Sequence, residues 1–410
     1  MFRPNLPERR FPWRWAAAVL LVALGLRLGW GLTRATDLSD LPDQAEYLAL
    51  GRSLLGEGRL AFEDPRFADT VRAFRMPGYP VLVAACGGSV TVVRAVQSLV
   101  DTSAVLAVML LAHRLTLGRL GVIIAGGFVA LSPLNVYFAA LLLTETLFTA
   151  MLAWSMLLLA TPAGKRGWWA GLALIAVSVL VRPSGILLPA VLAGGSVFLH
   201  RRHPFTADRR LIAGPVTVGL LAVAVCLLPW TLRNWIVVGS PVPTTTNTGL
   251  TLYDGLNPEA DGSSDQSVLL HLPQLRRMDE VQRSNYLRGR AVDFAAEHPG
   301  RVVELAVAKV RRTWSPVPLS AQFGSTRNAV IAAAHALPLF GLAVAGVLAS
   351  LVTREPRRRV VAFLLLPAVY FTLVHALTVG SLRYRVPAEA PLAVVAAAGV
   401  VAIRRAAAAD

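Results

Sequence analysis

The chain has 410 residues, of which 55% are hydrophobic and 16% are charged, and its mean hydropathy is +0.57. A soluble protein carries about 25% charged residues, so this composition excludes a soluble globular protein. The formal net charge of +16 does not indicate a nucleic-acid partner. The basic residues cluster in short loops between apolar runs, and no zinc-finger spacing occurs.

Apolar runs long enough to cross a bilayer recur along the whole chain; a spanning helix needs about 20 residues. The sequence therefore predicts an all-α polytopic membrane protein with about ten transmembrane helices. These spans are 15–33, 91–112, 119–138, 140–160, 168–182, 184–199, 212–232, 329–352, 360–379 and 387–403.

Basic segments follow alternate spans, and the first span is preceded by four arginines. Positive charge marks the cytoplasmic side, so we expect the N-terminus, 1–14, and the tail, 404–410, to lie in the cytoplasm. We expect a multi-pass protein of the cytoplasmic (inner) membrane of a bacterium, in contact with membrane lipids.

Two long segments, 34–90 and 233–328, then fall on the outer face, towards the periplasm or exterior. Loops above a membrane core commonly carry chemistry. Within 265–315, apolar residues recur at helical spacing and His298-Pro299-Gly300 interrupts them, which predicts two amphipathic helices on the membrane surface. Nucleoside triphosphates are absent from this face, so an enzyme here must use a lipid-borne or exported substrate.

In the first outer segment, Asp43, Glu46 and Tyr47 follow the i, i+3, i+4 spacing of a short amphipathic helix. Asp43 is near the start of this helix, where the dipole favours a carboxylate; simple helix capping is the alternative. The prolines and glycine of the motif FRMPGYP would hold Arg75 and Tyr79 rigidly at the entrance of the second span. An ordinary re-entry turn is the alternative, and an arginine here would also suit a lipid phosphate.

Two charged residues interrupt apolar stretches, Glu145 in LLLTETLF and Arg182 in VLVRPSG. A charge inside the bilayer costs about 2–3 kcal/mol or more, which makes both residues functional candidates. A wet interfacial position for Glu145 and snorkelling of Arg182 are the alternatives. Arg233 and Asn234 leave the seventh span before a Gly-, Pro- and Thr-rich loop, which either connects helices or lines a sugar or phosphate site.

The motif GSLRYRVPAEAP places Arg383, Tyr384 and Arg385 on the outer face, against the positive-inside trend. Arginines in this position indicate an anion at membrane depth, and a lipid phosphate is the natural candidate. Glu389, Glu145 and lipid headgroups are the alternative partners.

Five motifs in this order resemble those of one family. They are Asp-x-x-x-Tyr after the first span, Arg-x-Pro-Gly-Tyr-Pro, the Thr-Glu turn, Pro-Trp-x-x-Arg-Asn with Gly-x-x-Leu-x-x-Gly-x-Asn-Pro, and Arg-Tyr-Arg. Together, from about Leu38 to Pro391, they resemble the GT-C membrane glycosyltransferases. The nearest group is the bacterial relatives of dolichyl-phosphate-mannose protein mannosyltransferases and of the lipid A aminoarabinose transferase.

The resemblance implies an inverting transfer of a hexose or pentose from a polyprenyl-monophosphate sugar to an acceptor outside the cytoplasmic membrane. It implies that Asp43 is the general base and that Glu145 is the second acidic residue near the reacting centre. Arg75, Arg383 and Arg385 would stabilise the leaving phosphate, with Tyr384 as a hydrogen-bond donor.

One position departs from the family pattern. Many relatives have Asp-Glu where this chain has Asp43-Gln44, so a second carboxylate for a divalent metal is missing, and Glu46 or Glu145 would have to replace it. A divalent cation is the one cofactor that the resemblance leaves open. We expect recognition of the acceptor to depend on 233–328.

Two other classes of function remain open, a transporter or flippase of a lipid-linked sugar and a non-catalytic membrane scaffold of the same fold. A transporter would show mid-span charges and broken helices in both halves, whereas the polar residues here gather at one face. The sequence leaves open which sugar is moved and whether the acceptor is a protein, a lipid or a glycan.

Overall fold

A computed structural model describes residues 10–33, 38, 41–160, 164–200, 209–320, 323–352 and 355–408. The first nine residues of the predicted cytoplasmic N-terminus and the last two of the tail lie outside these ranges. The helices are α1 Trp13–Thr33, α2 Asp43–Glu57, α3 Gly78–Ala85, α4 Val90–Arg114, α5 Gly118–Ala130, α6 Pro133–Ala139, α7 Glu145–Ala160, α8 Gly164–Val177, α9 Leu188–His200, α10 Arg209–Val238, α11 Asn247–Gly255, α12 Glu280–Glu297, α13 Pro299–Trp314, α14 Thr326–Val352, α15 Glu355–Leu377 and α16 Val386–Ala406. Strands β1 (Phe62–Asp64) and β2 (Asp69–Val71) form one antiparallel hairpin.

The prediction of an all-α polytopic membrane protein is confirmed. Among the described residues, six helices are long and apolar enough to cross a membrane, and the bent pair α5–α6 makes a seventh span if it is counted as one. Two shorter apolar helices, Glu145–Ala160 and Pro183–Leu199, accompany them. Each of the ten predicted spans overlaps a helix or the bent helix pair, although the count of ten membrane crossings stays a prediction.

The spans predicted at 119–138 and 140–160 are not helical over their whole length. The span at 119–138 is broken between α5 and α6, whose axes differ by 51°, because Ser132 and Pro133 end one helix and start the next. The Ser132 side chain accepts a hydrogen bond from the Asn135 amide, as an N-cap does. The span at 140–160 becomes helical only at Glu145.

Arg27 stabilises this break from within the bundle. Its guanidinium donates to the carbonyls of Val129 and Ala130, each at 2.9 Å, at the end of α5. It is fully buried and forms an ion pair with Asp101 on α4. Carbonyl groups that a bent helix frees inside a membrane need such donors, so this pair completes the hydrogen bonding of α1, α4 and α5.

The membrane core is centred on α4, α7 and α16, for which 13, 12 and 13 residues are buried, respectively. Small residues allow close packing there. A Cβ on Gly346 would lie 2.2 Å from the Val395 carbonyl oxygen, and one on Gly399 would lie 2.3 Å from that of Leu342. Helices α14 and α16 therefore touch backbone to backbone, as small residues permit in membrane bundles.

The two outer segments share a second apolar core. Phe62 and Phe74 from the first segment pack with Leu250, Leu287 and other residues of the second. Helix α2 ends at Gly58, whose left-handed backbone (φ 66°) lets its N–H reach the Leu54 carbonyl. This turn returns the chain to the hairpin β1–β2, which contributes Phe62 and Val71 to the core.

A buried carboxylate also joins the two outer segments. Glu280, at the start of α12, accepts hydrogen bonds from the Arg72 and Ala73 amides at 2.8 and 3.1 Å and from the Thr246 hydroxyl at 2.8 Å. The predicted amphipathic helices are α12 and α13, and they separate at His298 as predicted. Their position on the membrane surface stays a prediction.

Candidate active site

Asp43, the first residue of α2, lies between two guanidinium groups. Arg75 Nη2 is 2.7 Å from Asp43 Oδ1, and Arg383 Nη1 is 2.8 Å from Asp43 Oδ2. Arg75 is on the segment between β2 and α3, and Arg383 is in the short 3₁₀ turn before α16. The fold therefore brings together residues that are 32 and 340 positions from Asp43.

Two further carboxylates extend this contact into a chain of alternating charges. Glu46 lies one turn along α2 and accepts Arg75 Nε at 2.7 Å. Glu145, the first residue of α7, accepts Arg182 Nη1 at 3.0 Å and also Arg383 Nε. We call the resulting set the ion-pair chain; in order of contact it is Arg66, Glu46, Arg75, Asp43, Arg383, Glu145 and Arg182.

Exposure distinguishes the carboxylates of the ion-pair chain. The Asp43 side chain is 25% exposed, whereas those of Glu46 and Glu145 are 10% and 0% exposed. A base must come within hydrogen-bond distance of the hydroxyl that it deprotonates. Asp43 is therefore the carboxylate of this set that is best placed to meet a substrate.

The charges around the two α2 carboxylates set their ionisation. Burial alone would raise the pKa of Asp43, but Arg75 and Arg383 together hold that pKa well below its usual range. The pKa of Glu46 is raised, because burial outweighs the attraction of Arg75 and Arg66. Asp43 is therefore a carboxylate at neutral pH.

Aromatic rings line one side of the ion-pair chain. The Tyr384 ring stacks on His375 with ring centroids 3.9 Å apart and nearly parallel planes, and Arg182 lies 5.4 Å from the Tyr384 centroid. Arg75 lies 5.3 Å from the centroid of Tyr47. Such cation–π contacts hold guanidinium groups flat against the rings.

Tyr79 lies beneath this layer and not in it. Its ring is fully buried, packs edge-on against Tyr47 at 4.9 Å, and its hydroxyl donates to Gln97. Tyr79 therefore supports the site from below, and its contacts are with the protein.

Besides the three tyrosines, three predicted residues are outside the ion-pair chain: Arg385, Arg233 and Asn234. Arg385 is 1% exposed; its guanidinium pairs with Glu389 at 2.7 Å and donates to the Thr313 and Ser315 carbonyls. The sequence left a lipid phosphate and Glu389 open as partners of Arg385, and in the structure Arg385 pairs with Glu389.

Arg233 and Asn234 also make contacts within the protein. Arg233 donates to the carbonyls of Arg72 and Leu60 at 2.6 and 3.2 Å, and Asn234 Nδ2 donates to the Val242 carbonyl at 2.9 Å. These bonds join the end of α10 to the first outer segment and fix the loop that follows α10.

The sequence analysis missed Arg66 and His375. Arg66 forms two hydrogen bonds with Asp64, at 2.8 and 2.7 Å, besides its pair with Glu46; its place in the loop of a short hairpin gave no signal. His375, near the end of an apolar helix, could have been found by the intramembrane-ionisable criterion that selected Glu145.

The site residues do not form a metal-ligand set. Both oxygens of Asp43 accept hydrogen bonds from arginines, and so do both oxygens of Glu46. Glu145 accepts both of its arginines on Oε1, and its buried Oε2 has no hydrogen-bond partner among the described residues. Over the described ranges, no group of three His, Cys, Asp or Glu residues could hold a metal ion. Each of the three carboxylates is already engaged by two guanidinium groups.

Comparison with known proteins gives the fold. No protein-family model matches the chain, and no curated protein matches it significantly. The oligosaccharyltransferase of Archaeoglobus fulgidus, solved with zinc and sulfate, superimposes with a TM-score of 0.50 at 14% identity over 96% of this chain. The chain has a GT-C fold.

This assignment confirms the predicted fold. The chain spans 51% of the length of the oligosaccharyltransferase. ArnT from Cupriavidus metallidurans is also similar, at 17% identity. The undecaprenyl phosphate complex of ArnT gives a TM-score of 0.43 over 97% of this chain and 79% of that protein. The apo structure gives 0.42 over 96% and 78%. The similarity to the oligosaccharyltransferase, at 14% identity, shows the fold alone; the function depends on the site.

Proposed function

We propose that the chain is a glycosyltransferase that moves a sugar from a polyprenyl-monophosphate donor to an acceptor hydroxyl at the outer face of a bacterial cytoplasmic membrane. One observation carries this proposal: a partly exposed carboxylate, Asp43, lies between the guanidinium groups of Arg75 and Arg383. A base next to two cations suits a reaction that deprotonates a hydroxyl and releases a phosphate.

The reaction forms one glycosidic bond and breaks another. The acceptor oxygen attacks the anomeric carbon, its proton goes to Asp43, and the bond from that carbon to the phosphate oxygen breaks with inversion. The polyprenyl phosphate leaves with the bonding electron pair. Arg75 and Arg383 stabilise its added negative charge, and Tyr384, which follows Arg383 in the chain, would donate a hydrogen bond.

The donor also prepares the base. A carboxylate whose pKa lies far below neutral takes up protons poorly, and both Asp43 oxygens are engaged by arginines before the donor binds. A donor phosphate would compete for the same guanidinium groups and weaken these ion pairs. The pKa of Asp43 would then rise, so the donor binds first and the acceptor is activated second.

The buried carboxylates position the arginines. Glu145 is fully buried and holds both Arg383 and Arg182, while Glu46 holds Arg75 and Arg66. In the proposed reaction, Glu145 keeps Arg383 directed at the reacting centre, and its burial prevents it from meeting the acceptor. The outer segment 233–328 is proposed to recognise a protein, lipid or glycan acceptor.

The position of the polar residues favours transfer over transport. Asp43, Glu145 and Arg383 lie at the N-terminal ends of α2, α7 and the apolar span Leu382–Ala406, and not at mid-span. Two charged pairs buried in the bundle, Arg27 with Asp101 and Arg385 with Glu389, are satisfied by protein groups. A transport pathway would need ionisable groups that face a water-filled cavity.

Sugar transfer in vesicles tests the proposal. Purified wild type, Asp43→Asn and the control Glu57→Gln, which changes an exposed carboxylate at the end of α2, would be given a panel of radiolabelled polyprenyl-phosphate sugars with membrane extract as acceptor. We expect transfer by wild type and the control and loss of transfer in Asp43→Asn. Absence of transfer from every donor by folded wild type would refute the proposal and favour a transporter or scaffold.

A further inference from the structure

The segment Ala140–Thr144, between α6 and α7, is irregular and buried. Its five residues are between 0% and 3% exposed, and it delivers Glu145 to the ion-pair chain. Irregular backbone at membrane depth must find hydrogen-bond partners within the protein. The residues that supply these partners therefore fix the position of Glu145.

Helix α4 supplies the donors for the carbonyls of this segment. Gln97 Nε2 donates to the Ala139 and Leu141 carbonyls at 3.0 and 2.7 Å. Arg94 Nε donates to the Ala140 carbonyl at 2.8 Å. The segment is thus fastened to α4 through its oxygens.

Gln44 supplies an acceptor for an amide of the same segment. Gln44 Oε1 accepts the Leu142 N–H at 3.0 Å, and Gln44 is 1% exposed. Gln44 directly follows Asp43, and Leu142 lies three residues before Glu145. One hydrogen bond therefore joins the backbone that carries Asp43 to the backbone that carries Glu145, and both carboxylates bind Arg383.

We propose that Gln44 is a positioning residue that holds Asp43 and Glu145 at the separation at which both bind Arg383. This inference rests on the proposed transfer reaction. The side chain serves as a neutral acceptor, since a buried glutamate here would place another negative charge beside Asp43. Gln44 then contributes to the site through this hydrogen bond and is not the remnant of a metal-binding carboxylate.

Two substitutions distinguish the effect of the Gln44 hydrogen-bond acceptor from the effect of the length of its side chain. Gln44→Met keeps the length and removes the acceptor, whereas Gln44→Glu keeps an oxygen that accepts the Leu142 N–H. Ser196→Ala is the control, because Ser196 also accepts a side-chain N–H, that of Trp168 at 2.8 Å, and lies on α9, outside the proposed site. The readouts are kcat and KM for the donor, and amide hydrogen exchange of the peptide 139–146.

We expect Gln44→Met to lower kcat by about 10–100-fold, the size of loss that a misplacement of about 1 Å causes, with a smaller change in KM. The same variant should exchange the Leu142 amide faster. Gln44→Glu should keep the amide protected and recover part of kcat, and Ser196→Ala should match wild type in both readouts.

Hydrogen exchange separates failure of this inference from failure of the proposed function, because it needs no turnover. Unchanged exchange and unchanged kcat in Gln44→Met would overturn the positioning role. An equal loss of kcat in Gln44→Met and Gln44→Glu, with the amide still protected in Gln44→Glu, would overturn it too. A wild type without any transfer would refute the proposed reaction and, with it, this catalytic role of Gln44, even if Gln44 protects the amide.

Discussion

The chemistry of the candidate site depends on the local charges around Asp43. The same aspartate in an apolar pocket without the arginines would have a raised pKa, since burial acts in that direction. Arg75 and Arg383 reverse the direction of this shift, so that the pKa of Asp43 is lowered. The proton affinity of the base is therefore set by side chains that come from two distant parts of the chain.

Replacing one arginine should change the pH dependence of transfer. In Arg75→Gln, the pKa of Asp43 should rise because one of its two cationic partners is lost while burial still favours the neutral form. The acid limb of kcat/KM, which reports the free enzyme, should therefore move to higher pH than in wild type. The measurement is kcat/KM across the acid range for both proteins.

Arg72→Gln is the control for that experiment, because Arg72 is exposed on the same segment and its side chain reaches only the Thr70 carbonyl. Its acid limb should coincide with that of wild type. An acid limb of Arg75→Gln that did not move, or that moved to lower pH, would mean that Asp43 is not the titrating base.

At this scale the sequence indicated residues that the structure brings together, but not their contacts. Glu145 and Arg182 stood out as charges in apolar stretches, whereas Asp43, Arg75 and Arg383 stood out through their motifs. Arg66 gave no signal, and Gln44 was noticed only as a departure from a motif, because the contacts of both residues exist only in the folded chain.

At the scale of elements, an internal ion pair supports the bent pair α5–α6. Arg27 on α1 satisfies two carbonyls that the bend frees and neutralises Asp101 on α4. Both side chains are nearly fully buried, at 0% and 2% exposed. Removing one partner of such a pair leaves an uncompensated buried charge, which is more costly than removing both.

Arg27→Met should therefore lower the free energy of unfolding by about 3–5 kcal/mol, measured by thermal or denaturant unfolding in detergent. The double variant Arg27→Met with Asp101→Leu should recover part of that loss, since no unpaired charge remains. A single variant as stable as wild type, or a double variant less stable than the single one, would contradict this role for the pair.

The apolar runs of the sequence predicted where the helices lie, but they did not predict where the helices are interrupted. An apolar run has the same composition whether it is helical or irregular. The sequence therefore predicts a span from residue 140, whereas α7 begins at Glu145. Ser132-Pro133 is an N-terminal signal that marks the bend, but it lies within a run long enough to be one span. The side chains that permit the irregular segment, Gln97 and Arg94, come from another helix.

At the scale of the molecule, the two outer segments act as one unit above the bundle. They share an apolar core and are joined by Glu280 and by the pair of Arg283 with Asp69. The sequence placed both segments on the outer face but contained no sign that they fold together, because the contacts join residues more than 200 positions apart.

The proposed reaction should proceed without a divalent cation, because arginines engage the carboxylates that would otherwise bind one. Transfer by the detergent-solubilised protein should be the same in excess EDTA as in buffer with Mg²⁺ or Mn²⁺. Loss of transfer in EDTA, restored by adding one of these ions, would show that the carboxylates release their arginines to a metal.

The composition of the ion-pair chain has a consequence for the charge of the site during turnover. Counting Asp64, which pairs with Arg66, four arginines face four carboxylates, so the resting cluster is neutral. In the proposed reaction Asp43 loses a negative charge by taking up a proton, while the lipid phosphate gains one as the sugar leaves. Negative charge moves from one side of Arg75 and Arg383 to the other, and the total stays constant. The bound donor brings one negative charge with its phosphodiester, and the chemical step adds no further charge to this low-dielectric site. The two arginines can therefore remain nearly stationary while their partner changes from carboxylate to phosphate.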